Sequence, residues 1–395
     1  MYKDFNVVQS IIGSMNKAVE ALKIKHNEVA LIGDIRLTVR EVNNALYGSS
    51  RLIFEKDYDL SIEKEYADYV NELEHIIAIW GKTIERRSGK DVDAVFWKYY
   101  EMFQYVEQDV IYDLVVNRFK ELPLENKEAY MSLKERYLFL KNTIDYKKED
   151  YSLIKEYVEM MAANIEQYKW LYERLADYRS KCVLNGIVQY WFEFDYEKLC
   201  ALDEKVYKDY YDLDILDSDE NAVFVDLGAY IGDSIYDYVC TYGPYKKIYG
   251  YEITPSTCET LQNNLAEYDN VVIKQKGVGE KSQTMFIDGS VVGEGNKVLN
   301  QGDLEVEVVA LDDDISESIS IIKMDIEGAE KDAIKGAKNH IKNEKPKLLV
   351  SAYHIPEDIF AIPKLIDDIR EDYKFYMRYN GYCAIWPCDY ILFAV

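Results

Sequence analysis

The strongest constraint on the fold is a series of short, β-rich apolar runs that begins near residue 221. The runs are AVFVDL, KKIYGYEI, NVVIKQ, SIIKMDI, PKLLVSA, YKFYMR and DYILFAV. Helical stretches near 233–242, 256–267 and 329–342 separate the first five, and 276–319 has the pattern of extra strands and loop. This alternation predicts an α/β fold with a mostly parallel sheet between helical layers. The last two runs are close in sequence, which indicates an antiparallel hairpin at the sheet edge.

The part of the chain before residue 210 has a different composition. It is poor in Gly, has Pro123 as its single proline, and is rich in Glu, Lys, Leu and Tyr, which favours helices. Residues 51–209 therefore predict an all-α helical bundle, and 210–395 the α/β domain. Residues 1–50 carry two narrow apolar stripes that predict a helical hairpin. The hairpin would either pair with a second copy, giving a homodimer, or pack on its own bundle.

Two apolar stripes at helical spacing in the bundle region predict core-facing helices. The first stripe is Phe96, Tyr99, Tyr100, Phe103, Val106, Val110 and Leu114. The second stripe is Ile154, Tyr157, Val158, Met161, Ile165, Tyr168, Leu171 and Leu175.

The charge balance excludes some classes of partner. Lys and Arg total 47 and Asp and Glu total 72, so the formal net charge is −25. This balance argues against non-specific nucleic-acid binding and against docking on an anionic membrane. The start of the sequence has no apolar leader pattern, and no run approaches the roughly 20 apolar residues of a membrane helix. The six cysteines have no zinc-ligand spacing. We therefore expect a soluble, cytoplasmic protein with reduced thiols.

The sharpest motif is a glycine turn after the first β-rich run. In the run VFVDLGAYIGDS, a strand ends at Asp226 and a helix begins near Asp233. Gly228 and Gly232 allow close approach of the backbone to a ligand, and Asp233 and Ser234 are capping residues. A dinucleotide fingerprint has a second glycine where this chain has Tyr230, which argues against NAD. The candidate cofactor-binding residues here are Asp226, Gly228, Ala229, Tyr230, Gly232, Asp233 and Ser234.

A carboxylate at the end of the second run narrows the choice of nucleotide. Glu252 suits two ribose hydroxyls, and Asp226 suits a ligand with a cationic amino acid portion. Together with the glycine turn, this arrangement points to S-adenosyl-L-methionine. Ile253 is a candidate to pack on the adenine. Gly277 and Val278 are candidates to contact its edge through their backbone, with a simple turn as the alternative.

A second acidic motif follows the run SIIKMDI. Asp325 ends this strand at the same carboxyl edge as Asp226, and Glu327, Gly328 and Glu330 form the turn and helix start. Acids at a helix N-terminus are stabilised by the macrodipole. Three acids in six residues could also bind a substrate hydroxyl, an amine or a divalent metal, with Asp325 and Glu327 as ligands of Mg²⁺. Asp325 is also a candidate cofactor contact.

His354 follows the run PKLLVSA and is placed at the same edge. A histidine with a near-neutral pKa can take the proton from an incoming hydroxyl group. The alternative is a structural histidine before Pro356. The candidate catalytic residues are therefore His354, Asp325 and Glu327.

Several of these segments resemble one known family, the FkbM methyltransferases. The segments are DLGAYIGDS, YEITPS, the LDDD at 311–314, IIKMDIEGAE and SAYHIPEDI. The resemblance covers residues 210–395 and does not extend to 1–209. It implies a seven-stranded Rossmann-like methyltransferase fold that uses S-adenosylmethionine. It also implies O-methylation of a hydroxyl on a sugar or secondary metabolite.

The resemblance assigns the family's motifs to numbered positions. The family's cofactor turn falls on Asp226, Gly228 and Gly232, and its ribose acid on Glu252. Its DxEGxE motif falls on Asp325, Glu327, Gly328 and Glu330. N- or carboxyl-methylation on the same scaffold, and a non-catalytic scaffold that only binds the cofactor, are the alternatives.

Overall fold

The structure is a computed structural model. The described residues are 90–125, 151–195, 198–199, 201–203, 210–288, 301–381 and 390–395. The chain divides into two compact units, Met1–Val95 and Phe96–Val395. Nearly all described residues belong to the second unit. The predicted hairpin at 1–50 lies outside the described residues.

Helices lead up to the sheet in the described residues before 195. They are α1 (Lys90–Tyr105), α2 (Gln108–Glu125), α3 (Ser152–Ala163), α4 (Ile165–Arg174) and α5 (Tyr178–Glu193). The second apolar stripe is confirmed, because all eight of its residues are buried in α3, α4 and the residue after α4. The first stripe is wrong beyond residue 105, where a break between α1 and α2 interrupts the helical period. Val106, Val110 and Leu114 are consequently exposed.

The predicted seven-stranded α/β sheet is confirmed. Its strands are β1 (Val223–Leu227), β2 (Lys247–Tyr251), β3 (Val271–Lys274), β7 (Ile321–Met324), β8 (Lys347–Ser351), β9 (Phe375–Tyr379) and β10 (Tyr390–Ala394). They are ordered β3-β2-β1-β7-β8-β10-β9. Strand β10 is antiparallel to both of its neighbours, and the other pairings are parallel. The carboxyl ends of β1, β2, β7 and β8 therefore meet at one edge of the sheet.

Helices and a small second sheet fill the connections. The longer helices are α6 (Asp233–Tyr242), α7 (Pro255–Asn264), α9 (Glu330–Gly336), α10 (Lys338–Glu344) and α11 (Asp358–Ile369). The region 276–319 holds β4 (Gly277–Val278), β5 (Gln283–Ile287), β6 (Leu304–Val309) and the short helix α8 (Leu311–Asp314). Strands β4, β6 and β5 form a three-stranded sheet. Helix α11 was not predicted, since it contains Pro363, which interrupts the sequence signal for a helix.

The helical segment before residue 195 covers the edge strand β9. The N–H of Ala176 donates to the carbonyl of Phe375 over 2.9 Å, and the N–H of Met377 donates to the Ser180 hydroxyl over 2.9 Å. These contacts satisfy backbone groups that an edge strand would otherwise leave open. Both sides of the predicted boundary at residue 210 lie within the compact unit Phe96–Val395.

A buried ion-pair group strengthens the same junction. Arg378 on β9 lies 2.8 Å from Asp177, the N-cap of α5, and 2.6 Å from Asp212 in the segment before β1. Arg378 and Asp212 are almost fully buried. The guanidinium therefore joins the helical segment, the sheet edge and the chain entering the sheet.

Within the described parts of the chain, no helix combines the length and the apolar composition that crossing a bilayer requires.

Candidate functional site

The glycine turn after β1 is built around a buried ion pair. Asp226 is fully buried, with Lys323 Nζ of β7 lying 3.0 Å from its Oδ1 and the Ser234 hydroxyl donating to its Oδ2. Lys323 Nζ also donates to the carbonyl of Gly228 over 2.8 Å. Burial opposes the charge of Lys323, but the carboxylates of Asp226 and Asp325 raise its pKa above the ordinary value. The lysine therefore stays protonated and ties the turn to β7.

This arrangement changes the interpretation of Asp226. The sequence suggested that its carboxylate faces the cationic portion of a cofactor. In the structure its cationic partner is Lys323, which lies opposite Asp226 in the register of β1 and β7. A lysine inside the apolar run SIIKMDI is a sequence signal for a buried ion pair. Only the register of β1 and β7 identifies Asp226 as its partner.

The two glycines of the turn have different roles. Gly228 has a φ of +77°, and a Cβ there would lie 1.9 Å from the backbone oxygen of Asp325. Gly232 has a φ of +93°, and a Cβ there would press on Leu261 and Leu265 beside α7. Gly228 is thus required where the turn after β1 touches the turn after β7.

The other residues of the glycine turn differ in their exposure to solvent. Ala229 is fully buried, and its N–H and that of Gly228 donate to the carbonyl of Tyr251. Tyr230 is partly exposed and has a φ of +45°, an uncommon left-handed value for a bulky residue. Asp233 is exposed at the first position of α6. In this turn, Tyr230 and Asp233 present accessible side chains.

Glu252, Ile253 and Gly277 come together at the ends of β2 and β3. Glu252 Oε1 accepts the N–H of Thr254 over 2.7 Å, and burial raises the pKa of Glu252 against the opposing effect of backbone hydrogen bonds. A Cβ on Gly277 would lie 2.8 Å from Ile253 Cδ1, so these two residues are in contact. Val278 is buried next to Gly277. A partly exposed Ile253 beside a glycine suits the face of a flat ring.

The acidic turn after β7 surrounds His354. His354 Nδ1 lies 2.9 Å from Glu330 Oε1, and Nε2 lies 3.3 Å from Asp325 Oδ1 and 3.7 Å from Glu327 Oε2. The imidazole is 8% exposed and Glu330 is fully buried. Burial disfavours the charged imidazolium, but the close contact with Glu330 and the charges of Asp325 and Glu327 outweigh it and raise the pKa of His354. The structure brings the predicted residues Asp325, Glu327 and His354 together.

Backbone geometry places the acids around the imidazole. Glu327 and Gly328 have φ values of +57° and +100°, so the chain reverses sharply between β7 and α9. Glu330 Oε1 also accepts the N–H of Ile326 over 2.9 Å, which holds the carboxylate in place. Glu330 is therefore the residue that orients His354, a role that its place in the sequence motif did not indicate.

Two tyrosine side chains also contact Asp325, and one of them, Tyr210, was not expected at the site from the sequence. Tyr210, from the segment before β1, donates to Asp325 Oδ2 over 2.8 Å and contacts Ser351 Oγ at 2.9 Å. On the other carboxylate oxygen, Tyr353 Oη lies 3.4 Å from Asp325 Oδ1. Asp325 is thus held by side chains from two parts of the chain, the segment before β1 and the segment after β8.

The same cluster offers possible ligand atoms for a cation. Asp325, Glu330 and His354 each present one such atom, and these atoms lie within 4.8 Å of one another. The sequence had suggested Asp325 and Glu327 for Mg²⁺. An imidazole in the donor set does not favour Mg²⁺, which prefers oxygen ligands and retained water. The short distances from both imidazole nitrogens to carboxylates suit a proton-sharing network.

The fold and the site together define a class of protein. A Rossmann-like sheet with a glycine turn after β1, an acid at the end of β2 and an acidic turn after β7 is a methyltransferase fold. Residues 226–382 match the family model described as Methyltransferase FkbM domain. The resemblance found from the sequence is thereby confirmed.

The chain is also similar to several solved structures. Methyltransferase FkbM from Methylobacillus flagellatus KT is 27% identical, with a TM-score of 0.52 over 60% of this chain and 60% of that chain. An rRNA methylase from Streptococcus thermophilus is 13% identical, with a TM-score of 0.30 over 46% of this chain and 89% of that one. Aeropyrum pernix fibrillarin, in complex with natively bound S-adenosyl-L-methionine, is 11% identical, with a TM-score of 0.29 over 45% and 67%. No curated protein matches the chain.

Proposed function

We propose that this protein is an S-adenosylmethionine-dependent methyltransferase that methylates a hydroxyl oxygen of a sugar, a glycan or a secondary metabolite. One observation carries the proposal: the backbone oxygen of Asp325 lies against Gly228, so the glycine turn and the His354 cluster share one edge. A methyl donor held by the glycine turn and a methyl acceptor held by the His354 cluster would be neighbours. Positioning of this kind supplies much of the rate of a bimolecular transfer.

The residues at the ends of β2 and β3 suit S-adenosylmethionine. The Glu252 carboxylate has the chemistry to accept hydrogen bonds from ribose hydroxyls. Ile253 and the backbone of Gly277 and Val278 offer an apolar face and polar edge groups for an adenine. When bound, the cofactor supplies a methyl group on a sulfonium sulfur, which is open to in-line attack by a nucleophile.

His354 is the proposed general base. A sugar hydroxyl becomes a competent nucleophile when its proton leaves as attack proceeds. Nε2 takes this proton, while Glu330 at Nδ1 holds the ring and stabilises the imidazolium that forms. Asp325 and Glu327, on the Nε2 side, orient the acceptor by accepting hydrogen bonds from its hydroxyls.

The charges around the site favour a neutral acceptor. Asp325, Glu327 and Glu330 lie close together, and the whole chain carries a net charge of −25. An anionic acceptor would meet repulsion, whereas a hydroxyl-rich neutral one would find hydrogen-bond acceptors. A carbohydrate acceptor is therefore proposed, and nucleic acid is not.

Cofactor binding and methyl transfer test the proposal separately. S-adenosylhomocysteine should raise the melting temperature and NADH should not, and Glu252→Gln should weaken that effect. With tritiated S-adenosylmethionine, carbohydrate extracts should become labelled by the wild type and far less by His354→Gln. Binding of NADH in place of S-adenosylhomocysteine, or labelling confined to amines or carboxylates, would contradict the proposal.

A further inference from the structure

The hydroxyl of Tyr210 lies between two polar side chains of the sheet edge. It is 2.8 Å from Asp325 Oδ2 and 2.9 Å from Ser351 Oγ. An ionised carboxylate only accepts hydrogen bonds, so Tyr210 donates to Asp325. The Ser351 hydroxyl then donates to the tyrosine oxygen. The result is a directed chain from Ser351 through Tyr210 to Asp325.

The Ser351 and Tyr210 members of this hydrogen-bonded series are shielded from water. Ser351 is fully buried and Tyr210 is 9% exposed. The tyrosine ring also lies 5.2 Å from the ammonium of Lys323, which is itself held by Asp226. Burial and the charge of Asp325 raise the pKa of Tyr210 well above its ordinary value. The hydroxyl is thus a permanent donor whose position is set by its surroundings.

Tyr210 uses its hydrogen bond differently from two buried tyrosines of the same sheet region. Tyr373 donates to the carbonyl of Pro346 over 2.8 Å, and Tyr390 donates to the carbonyl of Ala352 over 2.7 Å. Those two brace the backbone, whereas Tyr210 holds a functional side chain. The hydrogen bond from Tyr210 goes to Oδ2 of Asp325. The other carboxylate oxygen, Oδ1, lies 3.3 Å from His354 Nε2.

We propose that Tyr210 is a positioning residue that fixes the Asp325 carboxylate toward His354 and the acceptor. Tyr210 touches neither cofactor nor acceptor in this role and acts through Asp325. It precedes residues 226–382, so the segment leading into the matched domain completes the site. The catalytic consequence rests on the proposed methyltransferase function, but the orientation of Asp325 does not.

Tyr210→Phe tests the proposal in the full-length chain, because it removes one oxygen and keeps the ring. Tyr373→Phe is the matched control, since it removes a buried tyrosine hydroxyl away from the site. We expect Tyr210→Phe to lower kcat by about 10- to 100-fold, as misplaced reacting groups do, with the affinity for S-adenosylhomocysteine unchanged. Tyr373→Phe should leave kcat at the wild-type value. A wild-type kcat in Tyr210→Phe would overturn the proposal.

A second measurement needs no methyl acceptor. The ¹⁵N spectrum of His354 is recorded with S-adenosylhomocysteine present, and the signal is assigned with His354→Gln. Its Nε2 resonance should move in Tyr210→Phe in the direction seen for Asp325→Asn, and should not move in Tyr373→Phe. An unmoved resonance would overturn the proposal. A moved resonance in a protein that methylates nothing would reject the proposed function and retain the role of Tyr210 in placing Asp325.

Discussion

Lys323 Nζ lies 3.0 Å from Asp226 Oδ1, and both side chains are removed from solvent at the centre of the sheet. The pair joins β1 to β7 directly below the turns that carry Gly228 and Asp325. The glycine turn and the acidic turn are therefore built on one electrostatic contact. Gly228 adds to it, since its carbonyl accepts a hydrogen bond from the same ammonium.

Removal of Lys323 should be strongly destabilising. Lys323→Met leaves the Asp226 carboxylate buried without its counterion, which typically costs about 3–5 kcal/mol of the free energy of unfolding. Lys335→Met is the control, because Lys335 is 42% exposed and pairs with Asp332 at the surface, where such pairs contribute about 0–1 kcal/mol. Urea denaturation measures both. Equal losses of unfolding free energy in the two variants would show that the buried pair contributes no more to stability than the surface pair.

The close approach at Gly228 can be separated from its backbone angle. Gly228→Ala adds a Cβ 1.9 Å from the Asp325 backbone oxygen, whereas Gly243→Ala adds one at a similar φ of +76° with nothing within 4 Å. A positive φ strains alanine at both positions, and at Gly243, whose ψ is −126°, that backbone strain acts without a clash. We expect Gly228→Ala to lose more stability than Gly243→Ala and to lose S-adenosylhomocysteine affinity in calorimetry. Equal losses of stability in the two variants, with S-adenosylhomocysteine binding intact in both, would contradict the expected clash with the Asp325 backbone.

The pKa of His354 should depend on Glu330. It is raised in the folded protein, so the stability from protonated His354 is fully present below its unfolded pKa of about 6.5 and is lost as pH rises through the folded pKa. Glu330→Gln removes the negative charge and keeps an oxygen for the N–H of Ile326. The His354 pKa should fall, and the rise of methylation rate with pH should move to lower pH.

An NMR titration of the imidazole measures this shift, with Glu344→Gln as the control. Glu344 lies 2.9 Å from Nδ1 of a different histidine, His340, so its replacement should leave the His354 titration unchanged. A His354 pKa in Glu330→Gln that equals or exceeds the wild-type value would refute the assigned role of Glu330.

The junction between α5 and β9 should depend on Arg378. Arg378→Met leaves Asp212 buried and unpaired, so we expect a loss of about 3–5 kcal/mol of the free energy of unfolding. Arg370→Met is the control, since its partner Asp372 is 60% exposed and such surface pairs contribute little to stability. Guanidinium denaturation measures the difference. A loss in Arg378→Met no larger than in the control would mean that apolar packing alone holds the edge strand.

Much of the fold was predictable because its signals are local. All seven apolar runs became strands of the sheet, and the helices that join β1 to β2 and β2 to β3 begin within a residue or two of the expected positions. Asp325, Glu327 and His354 were expected at one edge, since the carboxyl ends of neighbouring parallel strands meet there. The exposed half of the first apolar stripe was not predictable, because a two-residue break changes which face a helix presents.

The sequence by itself determined the order of the seven strands along the chain, the positions of the glycine turn and the acidic turn, and the identity of the acids and histidine at the sheet edge. These follow from periodicity and turn chemistry within short windows. Only the tertiary structure decided that Asp226 pairs with Lys323, that Glu330 holds His354 and that Tyr210 holds Asp325. Each of these contacts joins residues from different segments, and the direction of a buried hydrogen bond depends on strand register and packing, which no local pattern contains.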